Sequence, residues 1–401
     1  MPMLSDACFR DRQALGPGIQ EVPYRHQTEQ IRYKANYTEE EKMRSIKGVS
    51  IIMAIGALTL ALTACGGSKP VSGKKGADDT SQVNPDVTGK VVIYTSMYED
   101  IIDNMEDQLS EVFPNADIEF FQGGSGTIQS KVAAEIDSGK LGCDMLMVAE
   151  PSYSLELKEK GILHPYDYSD KERLLFDYDK EGYWYPVRVC NMVLAYNPEK
   201  YDRSELPGSM KDFAEDKSMK GKLSMSNPLT SGTAFSSVVG LLDKYGEDYF
   251  KALGSQDVAI ESGSVALTKL ETGECSEIMV LEESVLKKRE EEGSSLEVIY
   301  PEDGSIPVPS PVMIIDEKYS ANANTEAAEA VEEYFLSPEG QKLIIDGWMY
   351  GVRDDMDDTP YDGLKLPDML RNTITVDWEK AYRERDSIRT MFEEYVTVPE
   401  E

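Results

Sequence analysis

The pattern of apolar and polar residues after residue 90 alternates between two periods. Short β-branched runs predict strands at 91–94, 117–121 and 144–148. Apolar residues at helical spacing, as in Ile101, Met105 and Leu109, predict helices at 101–113, 127–138 and 151–160. Strands that alternate with helices indicate parallel βαβ units, and therefore an α/β fold.

A long apolar and β-rich stretch at 183–196 interrupts this alternation and predicts a crossover into a second lobe. The elements expected beyond it are strands at 221–226, 277–281, 297–300 and 311–315, and helices at 233–245, 265–271, 325–335 and 377–395. We therefore expect two lobes with a cleft between them. The expected ranges are 90–185 and 297–350 for the first lobe, and 186–296 and 351–401 for the second.

The N-terminal part of the chain has the order of a secretory signal. A basic stretch begins at Met43, an apolar run covers 49–62, and small residues precede Cys65. The run is shorter than the roughly 20 residues of a membrane-spanning helix. We expect residues 1–64 to hold a lipoprotein signal with its true start at Met43, Cys65 to be lipidated, and 65–89 to be a flexible tether. An apolar helix with a chance cysteine is the alternative.

Charge and cysteine content limit the partners. The chain has 41 basic and 74 acidic residues, a net charge of −33, which disfavours binding to nucleic acid. Cys143, Cys190 and Cys275 have neither a disulfide framework nor the spacing of a zinc site, so we expect three small buried residues. We also expect a monomer that needs no cofactor.

The chain has few residues and motifs that are typical of catalytic sites. The segment after Cys65 contains one histidine, His164, and no nucleophile elbow, HExxH sequence or phosphate-binding loop. We therefore expect a binding protein. An enzyme and a non-transport surface lipoprotein are the alternatives, and turnover assays would reveal the former.

Six short sequences carry a resemblance to a known family. They are VIYTS at 92–96, GGSG at 123–126, CDMLM at 143–147, PLTSGT at 228–233, YPEDG at 300–304 and LSPEGQ at 336–341. In this order they resemble the solute-binding proteins of ABC importers, in the branch that includes ferric-iron, organophosphate and phosphonate binders. The resemblance implies a type II periplasmic-binding-protein fold, capture of a small-molecule solute, and docking on an ABC permease in the cytoplasmic membrane. It also implies a position outside the cytoplasm, periplasmic or on the outer face of the membrane.

Two turns rich in glycine and hydroxyl residues are candidates for holding an anion. A turn at a helix start presents backbone N–H groups and the positive end of the helix dipole. The candidate residues are Ser125, Gly126 and Thr127 in the first turn, and Ser231, Gly232 and Thr233 in the second. We expect the turns to lie on opposite lobes; the alternative is that each is only a capped turn.

The resemblance adds Ser264 as a third anion contact. Arg188 lies at the crossover and could bind an oxyanion with two hydrogen bonds, or form an ion pair at the hinge surface.

The chain departs from the ferric-iron members, in which a His, a Glu and two adjacent Tyr hold the metal. Tyr98 stands at the place of the His, Ala149 at that of the Glu with Glu150 beside it, and Glu283-Ser284 at that of the tyrosines. Iron binding stays an alternative. The carboxylates Glu282 and Glu283 favour a solute that also offers donors, such as 2-aminoethylphosphonate or a sugar phosphate, although either carboxylate could simply stabilise a helix start.

Overall fold

The structure, a computed structural model, describes residues 83–399. Met43, Cys65 and the expected signal and most of the tether lie outside the described residues. The first part of the chain forms β1 Gly89–Thr95, α1 Glu99–Val112, β2 Ala116–Gln122, α2 Ser125–Ser138, β3 Met145–Met147, α3 Pro151–Glu159 and β4 Leu163–His164. β1 pairs in parallel with both β2 and β3, as predicted for βαβ units.

The middle of the chain begins with β5 Tyr185–Tyr196, the predicted crossover. It continues through α4 Met210–Glu215, β6 Leu223–Ser226, α5 Gly232–Tyr245, α6 Glu247–Ser255, β7 Ala259–Glu261, α7 Gly263–Thr272, β8 Glu277–Leu281, α8 Glu282–Glu292 and β9 Glu297–Ile299. β6 pairs in parallel with β7 and β8, so a second βαβ arrangement forms beyond the crossover.

The last part contains β10 Ile306–Ile315, α9 Thr325–Leu336, α10 Pro338–Asp346, α11 Leu366–Met369, α12 Trp378–Arg383 and α13 Arg385–Tyr395. The expected single helix at 377–395 is wrong: Glu384, with φ −111° and ψ 12°, separates α12 from α13. The apolar face nevertheless continues across the break, because Ala381, Ile388 and Phe392 are all buried.

The strands form one sheet in the order β2-β1-β3-β10-β5-β8-β6-β7, with β4 paired to β10 and β9 to β5. β5 and β10 are antiparallel and connect the two halves of the sheet. Val187 and Val189 of β5 pack in the core of the first lobe, whereas Met192 and Leu194 pack in that of the second. β10 crosses in the opposite direction, from Ile306 in the second core to Val312 in the first.

These crossings change two expected lobe boundaries. Residues 297–306 were expected in the first lobe, but Ile299 and Ile306 pack in the second core, because the chain returns along β10 itself. Residues from 351 onward were expected in the second lobe, but Val352 and Met369 pack in the first core. The chain enters the second lobe again only near Ile374.

Candidate functional site

The two glycine-rich turns meet between the lobes. Gly124 precedes α2 and Ser231 precedes α5, and the Ser231 hydroxyl accepts a hydrogen bond from the Ala234 N–H at 3.3 Å. The Gly126 N–H donates to the Thr230 carbonyl at 3.0 Å, which joins the first lobe to the second. We call this approach the turn contact.

Glycine is required where the lobes approach each other. A Cβ atom on Gly126 would lie 3.0 Å from Thr230 Cα and 3.1 Å from the Leu229 carbonyl oxygen. A Cβ atom on Gly232 would lie 2.8 Å from Ser125 Oγ and 2.9 Å from the Ala149 carbonyl oxygen. The lobes are therefore in a closed arrangement that a side chain at either position would disturb.

The turn hydroxyls lie at this boundary. Ser125 and Thr233 are both 3% exposed, and Thr233 Oγ1 is 3.2 Å from Ser231 Oγ. The N–H groups of Gly126 and Ala234 already donate to Thr230 and Ser231, and the other first N–H groups of α2 and α5 have no partner within their helices, which suits an anion.

Arg188 is buried behind the turns. Its Nη2 donates to Ser96 Oγ at 3.2 Å, and Ser96 Oγ also accepts from the Ala149 N–H at 3.0 Å. Its Nη1 lies 3.0 Å from Met349 Sδ, and its Nε has no hydrogen-bond partner among the described residues. Arg188 is only 2% exposed, so the interpretation as an ion pair at the hinge surface is wrong.

Glu283 and Tyr98 belong to the same buried region. Glu283 is 3% exposed, and burial raises its pKa to about 7 although the charge of Arg188 opposes the rise. The Tyr98 hydroxyl lies 2.9 Å from Ser284 Oγ, and burial raises the pKa of Tyr98 to about 12. Tyr98 from the first lobe thus contacts the start of α8 in the second lobe.

Glu282 has a different environment from Glu283. Its carboxylate accepts hydrogen bonds from Asn191 Nδ2 at 2.6 Å, Tyr300 OH at 2.5 Å and Tyr350 OH at 2.8 Å. Consecutive helical residues point about 100° apart, so the two carboxylates have different surroundings. The three protein donors on Glu282 disfavour the expected contact of this carboxylate with a solute.

Ser264 is also separated from the buried region, because its side chain is exposed at the start of α7. The N-cap of that helix is Ser262, whose Oγ accepts from the Val265 N–H at 3.4 Å. The backbone of Gly263 is closer to the site, since a Cβ atom there would lie 3.8 Å from the Tyr98 hydroxyl oxygen.

The residues that could replace an iron-binding set are engaged elsewhere. Glu150 is 1% exposed, and it accepts from Ser152 Oγ at 2.7 Å and from Gln129 Nε2 at 2.6 Å. Arg385 of α13 lies 3.2 Å from the same carboxylate. Tyr98 and Glu150 therefore bind different partners, and residues 83–399 contain no group of three or more His, Cys, Asp or Glu side chains that could hold a metal ion.

Sequence reasoning missed two cationic residues at the edge between the lobes. In addition to Arg188, which the sequence analysis identified, α13 places Arg385 and Arg389 against the first lobe. Glu150 lies more than 230 residues earlier in the chain than Arg385. No local sequence pattern could have revealed a contact over that separation.

The remaining chemical groups have structural partners. Cys143, Cys190 and Cys275 are buried and unpaired, which confirms their prediction as small buried residues. His164 Nε2 lies 2.7 Å from Glu329 Oε1 on the surface of the first lobe. None of the helices described between residues 83 and 399 has the length and apolar character needed to span a membrane.

Solved structures with the same fold are periplasmic binding proteins. AfuA from Actinobacillus pleuropneumoniae, solved with exogenous fructose-6-phosphate, is 21% identical, with a TM-score of 0.67 over 78% of this chain and 99% of AfuA. The periplasmic binding protein P5PA is 19% identical, with a TM-score of 0.65 over 77% of this chain and all of P5PA. Iron-bound HitA from Pseudomonas aeruginosa is also 19% identical, with a TM-score of 0.65 over 76% of this chain and 99% of HitA. The fold is thus the two-lobe type II periplasmic-binding-protein fold.

Sequence comparison gives the family. The sequence profile of the bacterial extracellular solute-binding proteins matches residues 143–369, which is more than half of the chain. An uncharacterized protein of Haemophilus influenzae is 22% identical over 277 residues, which cover 66% of this chain and 76% of that protein. The chain belongs to the family of bacterial extracellular solute-binding proteins, in agreement with the resemblance found in its sequence.

Proposed function

We propose that this protein is the substrate-binding component of an ABC importer and captures a small phosphonate or organophosphate between its lobes. The observation that carries the proposal is Arg188, a buried guanidinium whose Nε has no hydrogen-bond partner among the described residues and whose charge acts on the buried carboxyl group of Glu283. A buried charge is costly unless it is paired, so an anionic solute would stabilise it. Ser96 links Arg188 to Ala149, which lies against Gly232 of the second turn.

The finer choice of solute rests on Glu283. A buried carboxylate beside an arginine favours a solute that combines an oxyanion with a donor, such as the amino group of 2-aminoethylphosphonate or a hydroxyl group of a sugar phosphate. The fructose-6-phosphate named for AfuA is a solute of the second kind. Within this proposal Arg188 and the two turns hold the oxyanion, and Glu283 accepts from the donor.

Ferric iron is less well supported as a solute, although HitA is iron-bound. Iron would need anionic oxygen donors, whereas burial raises the pKa of Tyr98 and the carboxylate of Glu150 is held by Gln129 and Ser152. Binding without catalysis also belongs to the proposal. Assays for phosphatase and glycosidase turnover would detect an enzyme.

The experiment is calorimetric titration of the purified protein with 2-aminoethylphosphonate, with hexose phosphates and with ferric citrate. Arg188→Lys keeps the charge but loses the planar fork, and should weaken binding of the organophosphate by roughly tenfold or more. Arg371→Lys is a matched control, because it makes the same substitution at an arginine whose side chain is 76% exposed. Heat with ferric citrate alone would contradict the organophosphate proposal.

We further propose that the protein acts as a monomer, anchored through lipid on Cys65 and docked on its permease when loaded. Mass analysis of the protein purified from its native membrane tests this. The expected N-terminal residue is a diacylated or triacylated Cys65. A mature chain that begins elsewhere would contradict the anchor.

A further inference from the structure

A groove at the edge between the lobes forms a second cationic region, separate from Arg188. It has a volume of about 270 Å³, and its lining includes Gly126, Gln129, Tyr153, Leu229, Arg385 and Arg389. The first three residues belong to the first lobe and the last three to the second. We call it the basic groove; among the residues discussed for the proposed solute site it contains only Gly126.

The charges in the basic groove are incompletely paired. Arg385 forms ion pairs with Glu150 at 3.2 Å and with Glu156, and Lys160 pairs with Glu156 at 2.6 Å. Arg389 has neither a hydrogen bond nor an ion pair within the described part of the chain, and its guanidinium lies 5.2 Å from the centre of the Phe235 ring. Lys160, Arg385 and Arg389 thus form a cluster of positive charge on a chain whose net charge is −33.

The guanidinium groups of Arg385 and Arg389 also have N–H donors without an acceptor. The Nε atoms of Arg385 and Arg389 are buried and have no hydrogen-bond partner among residues 83–399. Burial lowers the pKa of Arg389, and the attraction of the nearby carboxylates Glu150 and Asp386 does not offset this loss of water. A buried donor without a partner destabilises a protein, and an oxyanion would supply the missing acceptors.

We propose that the basic groove is a second anion site, which takes a small tetrahedral oxyanion such as inorganic phosphate or sulfate. The planar forks of Arg385 and Arg389 match the oxygens of such an ion. Because the groove needs residues from both lobes, the ion also stabilises the closed arrangement.

The test is calorimetric titration of the purified protein with sodium phosphate, at an ionic strength held constant with sodium chloride. We expect Arg389→Gln to weaken phosphate binding by roughly tenfold or more, since the variant loses charge-assisted hydrogen bonds to the ion. The Arg371→Gln control, on an exposed arginine, should bind phosphate as the wild type does. Arg188→Lys should retain this phosphate site, so the result does not depend on the proposed transport function.

Two outcomes would overturn the proposal: no phosphate binding by the wild-type protein, or equal binding by the wild type and Arg389→Gln. Loss of phosphate binding in Arg188→Lys alone would place the ion in the cleft instead, and would also overturn it. Crystals of the wild type grown with selenate give a test that needs no variant. An anomalous peak beside Arg389 is expected, and its absence counts against the site.

Discussion

Gly232→Ala tests whether the turn contact belongs to the solute-bound state. The added Cβ atom would lie 2.9 Å from the Ala149 carbonyl oxygen and 3.0 Å from Glu150 Cβ, both in the first lobe. The Ser125 hydroxyl at 2.8 Å can rotate away, but the Ala149 carbonyl oxygen belongs to the backbone and cannot. The lobes must therefore separate by roughly 0.5 Å to restore an ordinary contact of about 3.4 Å.

The cost of this separation falls on the closed state alone. Overpacking of this kind costs about 1–3 kcal/mol, and 1.4 kcal/mol corresponds to a factor of ten, so solute affinity should fall roughly 5- to 150-fold. The open protein should not be destabilised, because Gly232 is the first residue of α5 and alanine favours a helix.

Calorimetry with the solute found for the wild type measures the affinity, and small-angle X-ray scattering measures the compaction that accompanies binding. Gly123→Ala is the matched control, since its added Cβ atom would meet only first-lobe side chains, at 3.5 Å or more. The control should behave as the wild type in both assays. If Gly232→Ala binds and compacts as the wild type does, the turn contact is not part of the bound state.

Three further predictions concern stability and reactivity. Glu277 is fully buried with both carboxylate oxygens unpartnered among the described residues, and burial raises its pKa from 4.5 to about 8. The native state thus keeps a proton that the unfolded state releases, and the free energy of unfolding should fall between pH 4.5 and 8. Glu277→Gln should remove this fall and stabilise the protein at pH 9 by up to about 5 kcal/mol in urea unfolding, at 1.36 kcal/mol per pKa unit. Equal stability at pH 9 would contradict the assignment. Tyr350→Phe removes one hydrogen-bond donor to Glu282 and should lower the free energy of unfolding by about 1–3 kcal/mol. Solute affinity should not change. Weaker binding of the solute by this variant would indicate that Glu282 contacts the solute. The three buried cysteines should resist iodoacetamide in the native protein and react after unfolding, as peptide mass spectrometry would show, because burial raises the pKa of each thiol.

The elements could be predicted from the sequence where their periodicity is uninterrupted. The β-branched run at β1 and the helical spacing of Ile101, Met105 and Leu109 predict elements that the structure contains. β10 was harder to predict from the sequence, and its expected start at residue 311 is five residues late. Pro307, Pro309 and Pro311 indicate a break, since proline lacks the N–H that a strand pairs.

Those prolines are tolerated in β10 because of its neighbours. Over its first half β10 pairs only with β5, and β3 joins at Val312. Alternate residues of a strand direct their N–H groups to the same side, so prolines two residues apart remove donors only from the side without a partner. The sheet order that makes this possible depends on residues distant in the chain.

The candidate site shows the same limit. The turn sequences and Arg188 could be identified from short patterns, and the structure places them between the lobes. The separate environments of Glu282 and Glu283, and the approach of Arg385 to Glu150, depend on tertiary packing that no local pattern records.

The most direct test of solute capture between the lobes is a crystal structure of the protein purified from its native cells without denaturation. We expect electron density for a phosphonate or organophosphate within hydrogen-bonding distance of Arg188 and of the starts of α2 and α5, with a donor group toward Glu283. Density for a metal ion bound by Tyr98 and Glu150, or for a solute that contacts neither Arg188 nor the two turns, would contradict this proposal.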